Sequence, residues 1–135
     1  PQMNFINATL EKKGSDYFFK FEENEIKIPE DKFTGKEDLM KDYVGKEVVI
    51  GIRPEAIDDS ALALQNNPDS TIEVNVDVTE LMGAEIYLYL TVGETNLISR
   101  VSSRSTSRAG DKIKVAFDTT RVHIFDKDTE QCLAH

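Results

Sequence analysis

The chain has 135 residues and carries 16 Lys and Arg against 25 Asp and Glu, a net charge of −9 with a pI near 4.7. That length fits one domain able to fold without staples, and the acidity argues against phosphate-backbone partners, which need clustered cations. The single cysteine, Cys132, rules out an internal disulfide framework and suits a reducing compartment, and no run approaches the ~20 apolar residues of a bilayer span.

The chain opens Pro1-Gln2-Met3-Asn4, without the basic head or apolar stretch of a signal peptide. Period-2 alternation then dominates, the mark of strands with one buried face. Strands are predicted at Asn4–Glu11, Tyr17–Phe21, Glu25–Ile28 and Glu47–Ile52, with turn chemistry at Gly14-Ser15-Asp16 and Glu23-Asn24. Lys36–Tyr43 has short helical character through Leu39, Met40 and Tyr43, and Ser60–Asn67 can add a helical turn. In Thr71–Val78, Ile72, Val74, Val76 and Val78 are expected to point one way and Glu73, Asn75 and Asp77 the other.

After Met82-Gly83-Ala84, Glu85–Leu90 alternates Ile86, Leu88 and Leu90 with Tyr87 and Tyr89, so apolar or aromatic neighbours are expected on both of its faces. Leu97–Val101, Ile113–Phe117 and Val122–Phe125 complete the strands, punctuated by Gly93-Glu94 and Ala109-Gly110-Asp111. Many short strands with almost no helix indicate an all-β barrel or sandwich of the OB type. Residues 1–135 read as one domain of two β lobes sharing one core, with a seam at 58–70, because either side alone is small for an unstapled β fold.

The usual catalytic sets are missing: the chain has no GxxxxGK[ST] phosphate loop, GxSxG elbow, HExxH or CxxC. His123, alternating with Val122 and Ile124, reads as a structural or surface histidine, and the final residue His135 is expected to be disordered or non-native. One Cys and two His cannot close a four-ligand zinc site, so no metal is expected. Asp126, Asp128 and Glu130 lack the Gly and terminal Glu of a calcium loop and read as a solvated acidic turn.

The basic run Arg100, Arg104, Arg108, Lys112, Lys114 contains no aromatic for base stacking, so it reads as a solvated loop or a contact for an acidic partner. In Gly51-Ile52-Arg53-Pro54-Glu55 the proline disfavours helix at Arg53 and makes a rigid turn carrying both charges. Those charges serve either an intramolecular ion pair or an orienting contact for a neighbouring chain or domain.

Several strings, in order, carry a family resemblance. They are Pro1-Gln2-Met3-Asn4-Phe5, Val49-Ile50-Gly51-Ile52-Arg53-Pro54-Glu55, and Val78-Thr79-Glu80-Leu81-Met82-Gly83-Ala84-Glu85. Ala109-Gly110-Asp111-Lys112 and the run from Val115 to Asp126 close the set. Over nearly its whole length the chain resembles the C-terminal region of the maltose- and multiple-sugar-importer type of ABC ATPase subunit.

The resemblance implies an OB/TOBE-like regulatory domain, not itself an enzyme, that follows the nucleotide-binding domain of the same subunit and forms a homodimer. It implies no cofactor in this chain, since Mg-ATP belongs to the missing nucleotide-binding domain; nucleic acid is disfavoured separately, by the net charge of −9. Further partners implied are the membrane permease subunits, through the intact protein, and a phosphotransferase-type or transcriptional regulator, with a cytoplasmic location on the inner face of the cell membrane. The regulatory face of maltose-type members maps to Gly45, Gly51, Glu80 and Phe125, to which the charges of Arg53 and Glu55 are added as protein contacts. Gly45 can also serve simply as a turn.

Three departures stand against the family pattern: Met82 for Leu before Gly83, Thr119-Thr120 for Pro-Glu, and a short tail after Cys132. The alternative, from another class, is a small-ligand or oxyanion-binding OB module.

Overall fold

In the computed structural model, which describes residues 2–135, eleven strands form two antiparallel sheets. The strands are β1 (Asn4–Lys13), β2 (Asp16–Phe21), β3 (Asn24–Ile28), β4 (Glu47–Ile52), β5 (Ile57–Asp58), β6 (Thr71–Met82), β7 (Glu85–Val92), β8 (Thr95–Ser102), β9 (Lys112–Phe117), β10 (His123–Asp126) and β11 (Cys132–Ala134). Two helices of barely more than a turn, α1 (Glu37–Lys41) and α2 (Ala61–Asn66), complete the all-β architecture expected of an OB-type fold. Among the described residues no helix is long and apolar enough to cross a membrane.

The first sheet runs β11-β10-β4-β1-β2-β3 and the second β5-β9-β6-β7-β8. The chain does not divide between them at one point, because β10 and β11 return to pair with β4 after the second sheet is built. Two short edge strands, β5 and β11, escape sequence reading because two or three residues cannot show a period.

Each sheet buries one face. In β1, Asn4, Ile6, Ala8 and Leu10 turn inward while Phe5 and Asn7 face out, as strand geometry dictates for alternate positions. Phe117 of β9 spans the layers, its ring 6.3 Å from Phe19 and 6.4 Å from Phe21 of the first sheet. One continuous cluster of buried side chains joins both sheets, and burying a ring the size of Phe117 stabilises by roughly 2–3 kcal/mol.

One expectation is corrected. Val78 does not join Ile72, Val74 and Val76 in the core but is 53% exposed. Val76 pairs with Leu90 and Val78 with the next residue, Tyr89, so Asp77 is an extra residue, a β-bulge, in β6. The bulge reverses the alternation beyond it, which places Val78, Glu80 and Met82 on the outer face with Tyr89, Tyr87 and Glu85 of β7.

Candidate protein-contact surface

The strings that carry the resemblance converge in space. Phe5 of β1 and His123 of β10 are both register partners of Gly51 in β4, so all three lie side by side on the outer face of the first sheet. Gly51 is buried beneath its neighbours: a Cβ there would stand 2.5 Å from Met3 Sδ and 2.8 Å from Phe125 Cε2. Its φ is not positive, so the position needs a glycine for space and not for backbone conformation. Phe125 is half-buried and meets Phe5 edge-on with ring centroids 6.0 Å apart, while Phe5 stays 63% exposed.

From Phe5 the apolar surface continues onto the second sheet. A shallow cavity of about 440 Å³ is lined by Met3, Phe5, Asp77, Tyr89 and Ile98 among others, and Tyr89 is the register partner of both Ile98 and Val78. The result is a strip running Phe125–Phe5–Tyr89–Val78. Glu80 stands at its margin, where its carboxylate accepts the Tyr89 hydroxyl at 3.2 Å; burial first and this carboxylate second push the Tyr89 hydroxyl above its ordinary pKa.

The charged members lie at the start of the turn after β4. Arg53 has the extended backbone (φ −78°, ψ 152°) that a following proline requires, and its side chain is exposed. Glu55 reaches Arg121 at 3.6 Å and Arg100 at 3.8 Å, and Arg100 in turn meets Glu85 at 3.3 Å. A hydrogen bond involving Tyr87, then Glu85 and Glu55, holds the Arg100 guanidinium still further above its usual pKa. The basic run is thereby partly neutralised, and the open groove of about 900 Å³ beside it includes Glu55, Asp58, Asp59 and Glu85 along with Arg100, Arg104 and Lys114.

Gly45 stands apart from this strip. It adopts φ +83° in the turn before β4, open around its Cα, and its N–H donates to the Leu10 carbonyl at 2.7 Å. The positive φ suits it to that turn.

Two further side-chain groups lie on the same sheet. Asp126 Oδ1 accepts the backbone N–H groups of Asp128 and Thr129, each at 2.8 Å, and Oδ2 accepts the Tyr43 hydroxyl at 2.6 Å. These bonds, the Thr129 N–H foremost, hold its carboxyl at about 2, so the acidic triplet is organised as a closed turn. His135, expected to be disordered, is seated beside Cys132 and His123, and these three donors come within 4.8 Å of one another.

Comparison with known proteins decides the family. The description "TOBE domain" matches residues 50–125, and "MalK OB fold domain" matches residues 1–57. The chain belongs to the TOBE domain family. Its relatives include the oligosaccharides import ATP-binding protein MsmX of Bacillus subtilis, 35% identical over 130 residues covering 96% of this chain and 34% of the relative. They also include the trehalose/maltose import ATP-binding protein MalK of Thermococcus litoralis, 34% identical over 134 residues covering 98% of this chain and 35% of the relative. The multiple sugar-binding transport ATP-binding protein MsmK of Streptococcus mutans is 34% identical over 133 residues covering 98% of this chain and 34% of the relative.

This TOBE domain therefore spans about a third of the length of the curated relatives it matches. A solved structure of the cytoplasmic molybdate-binding protein ModG shares the fold with a TM-score of 0.65 over 90% of this chain and 94% of that one, at 12% identity.

Sequence reasoning missed Phe5 and Val78 as surface residues. Phe5 could have been found, since strict alternation places it opposite Asn4 and Ile6. Val78 could not, because its alternation with Val76 is perfect in sequence and only the bulge overturns it.

Proposed function

We propose that this chain is the regulatory and dimerising domain of the ATP-binding subunit of a carbohydrate ABC importer. The observation that carries the reading is alignment along nearly the whole chain with ATP-binding proteins of oligosaccharide, multiple-sugar and trehalose/maltose import. In the intact subunit, a nucleotide-binding domain would hold Mg-ATP and perform the hydrolysis. This domain would carry no catalytic group, consistent with a site built from apolar contacts and intramolecular ion pairs. The subunit would sit on the cytoplasmic side of the cell membrane against its permease partners.

The strip Phe125–Phe5–Tyr89–Val78 suits a two-fold contact. Apolar and aromatic, rimmed by Glu80, it has the make-up of an interface centre, and a homodimer uses one self-complementary patch. Phe125 and Glu80, assigned by family resemblance to a regulator's docking face, lie on or beside it. One surface would thus serve both the twin domain and a phosphotransferase-type or transcriptional regulator. Packing of Met3 and Phe125 over Gly51 gives that glycine its place in the same face.

The second reading, an oxyanion-binding module, has the fold of the molybdate-binding ModG in its favour. The charges oppose it, since Arg100 is engaged by two carboxylates and the groove beside it holds more acids than bases.

Sedimentation velocity from a few to several hundred micromolar tests the proposal. Self-association is expected with a dissociation constant in the micromolar range or weaker, about −8 kcal/mol or less favourable, and Phe5→Asp should abolish it. A concentration-independent monomer would defeat the dimer, and a rise in melting temperature with millimolar molybdate, sulfate or phosphate would favour the second reading by mass action.

A further inference from the structure

At the free edge of the first sheet, three side chains with metal-binding donors are brought to one face by a backbone irregularity. Cys132 and His135 are three residues apart, an odd spacing that would send them to opposite sides of a regular strand. In β11, however, Cys132 pairs with Phe125 while Ala134 pairs with Ile124, so Leu133 is an extra residue against β10. Leu133 and Ala134 both turn inward, 3% and 0% exposed, and Cys132 and His135 both turn outward. His123, two residues from Phe125, lies on that same outward face.

The resulting distances suit a small cation. Cys132 Sγ is 3.6 Å from His135 Nδ1, and the rings of His123 and His135 stand edge to face with centroids 5.7 Å apart. A tetrahedral zinc ion with its usual bond lengths separates a thiolate sulfur from an imidazole nitrogen by about 3.6 Å. One ligand-to-ligand edge is therefore already at the required length, and the donors as a set lie within 4.8 Å of one another.

The backbone under the ligands is also held. Lys32 donates to the His135 carbonyl, and Lys36 donates to the Leu133 carbonyl at 3.0 Å. Both lysines come from the segment around α1, more than 95 residues earlier in the chain, so the third ligand is tied to the body of the domain. The Lys32 ammonium opposes a nearby cation, and the thiolate charge that metal binding creates offsets it.

We propose that His123, Cys132 and His135 form a three-ligand site for a late first-row divalent ion of the zinc type, with a fourth position open to solvent or to a donor from another molecule. Two imidazoles and one thiolate are the donor set that selects such ions over calcium or magnesium. Three ligands do not make the closed four-ligand site that the residue count had already excluded. Bound metal would clamp β11, a strand of three residues, onto β10, next to the aromatic strip through Phe125, whose ring centroid is 6.3 Å from that of His123.

Cobalt(II) titration of the reduced, chelator-treated, tag-free protein is the test. Saturation at one equivalent is expected, with a thiolate-to-cobalt charge-transfer band in the near ultraviolet and visible d–d bands of four-coordinate intensity. Zinc(II) should displace the cobalt and raise the melting temperature. Cys132→Ser should lose the charge-transfer band, and His123→Ala and the exposed His135→Ala should each lose saturable binding while keeping the wild-type far-ultraviolet circular dichroism. Absence of a thiolate band in the wild-type protein would overturn the site. So would bands that persist in either histidine variant.

Discussion

Asn4 holds Ile98 by both of its backbone polar groups: the Asn4 amide donates to the Ile98 carbonyl at 2.8 Å and its oxygen accepts the Ile98 N–H at 2.8 Å. The two residues are 94 apart in sequence and lie in different sheets. Strand β8 is the end of the second sheet, so one side chain of the first sheet satisfies an edge that would otherwise present unpaired groups. The Met-Asn-Phe string thus has a structural reason for its asparagine.

Asn4→Ala should destabilise the domain by about 1–3 kcal/mol, the cost of leaving enclosed backbone groups without partners. Asn4→Asp should be at least as harmful, because a carboxylate faces the Ile98 carbonyl. Urea unfolding measures this, and an Asn4→Ala variant within about 0.5 kcal/mol of wild type would show that the clamp does nothing.

Gly51→Val should cost about 1–3 kcal/mol, since its Cβ must displace Phe125 as well as Met3. Gly51→Ala should cost less, because its single methyl meets the flexible Met3 thioether and one edge of the Phe125 ring, whereas valine adds two methyl groups to the same space. The same displacement disturbs the aromatic strip, so sedimentation velocity should show weaker self-association in Gly51→Val at a temperature where it is still folded. Stability unchanged from wild type in the valine variant would contradict the packing described.

Asp126 sets a pH dependence. Its carboxyl is held at about 2 in the folded domain, against an ordinary value of 3.8. Because the folded value is the lower one, its contribution to stability is complete above the ordinary value and disappears as pH falls through the folded value. Asp126→Asn should therefore unfold at lower urea than wild type near neutral pH, with the gap closing between about pH 4 and pH 2. A gap of constant width down to about pH 2 would refute the assignment.

The strands themselves were legible in the sequence because alternation is a local property: Ile6, Ala8 and Leu10, or Val48, Ile50 and Ile52, declare a buried face without reference to any partner. The family resemblance was legible too, from ordered strings such as Gly51-Ile52-Arg53-Pro54-Glu55. What the alternation could not carry was the pairing across strands. The bulges at Asp77 and Leu133 exist only relative to β7 and β10, and they decide that Val78 faces out and that Cys132 and His135 share a face. Likewise Glu55 finds Arg100 and Arg121, and Asn4 finds Ile98, only once the two sheets are stacked. Groups 45 to 94 residues apart meet through the closure of the fold, and no local periodicity encodes that closure.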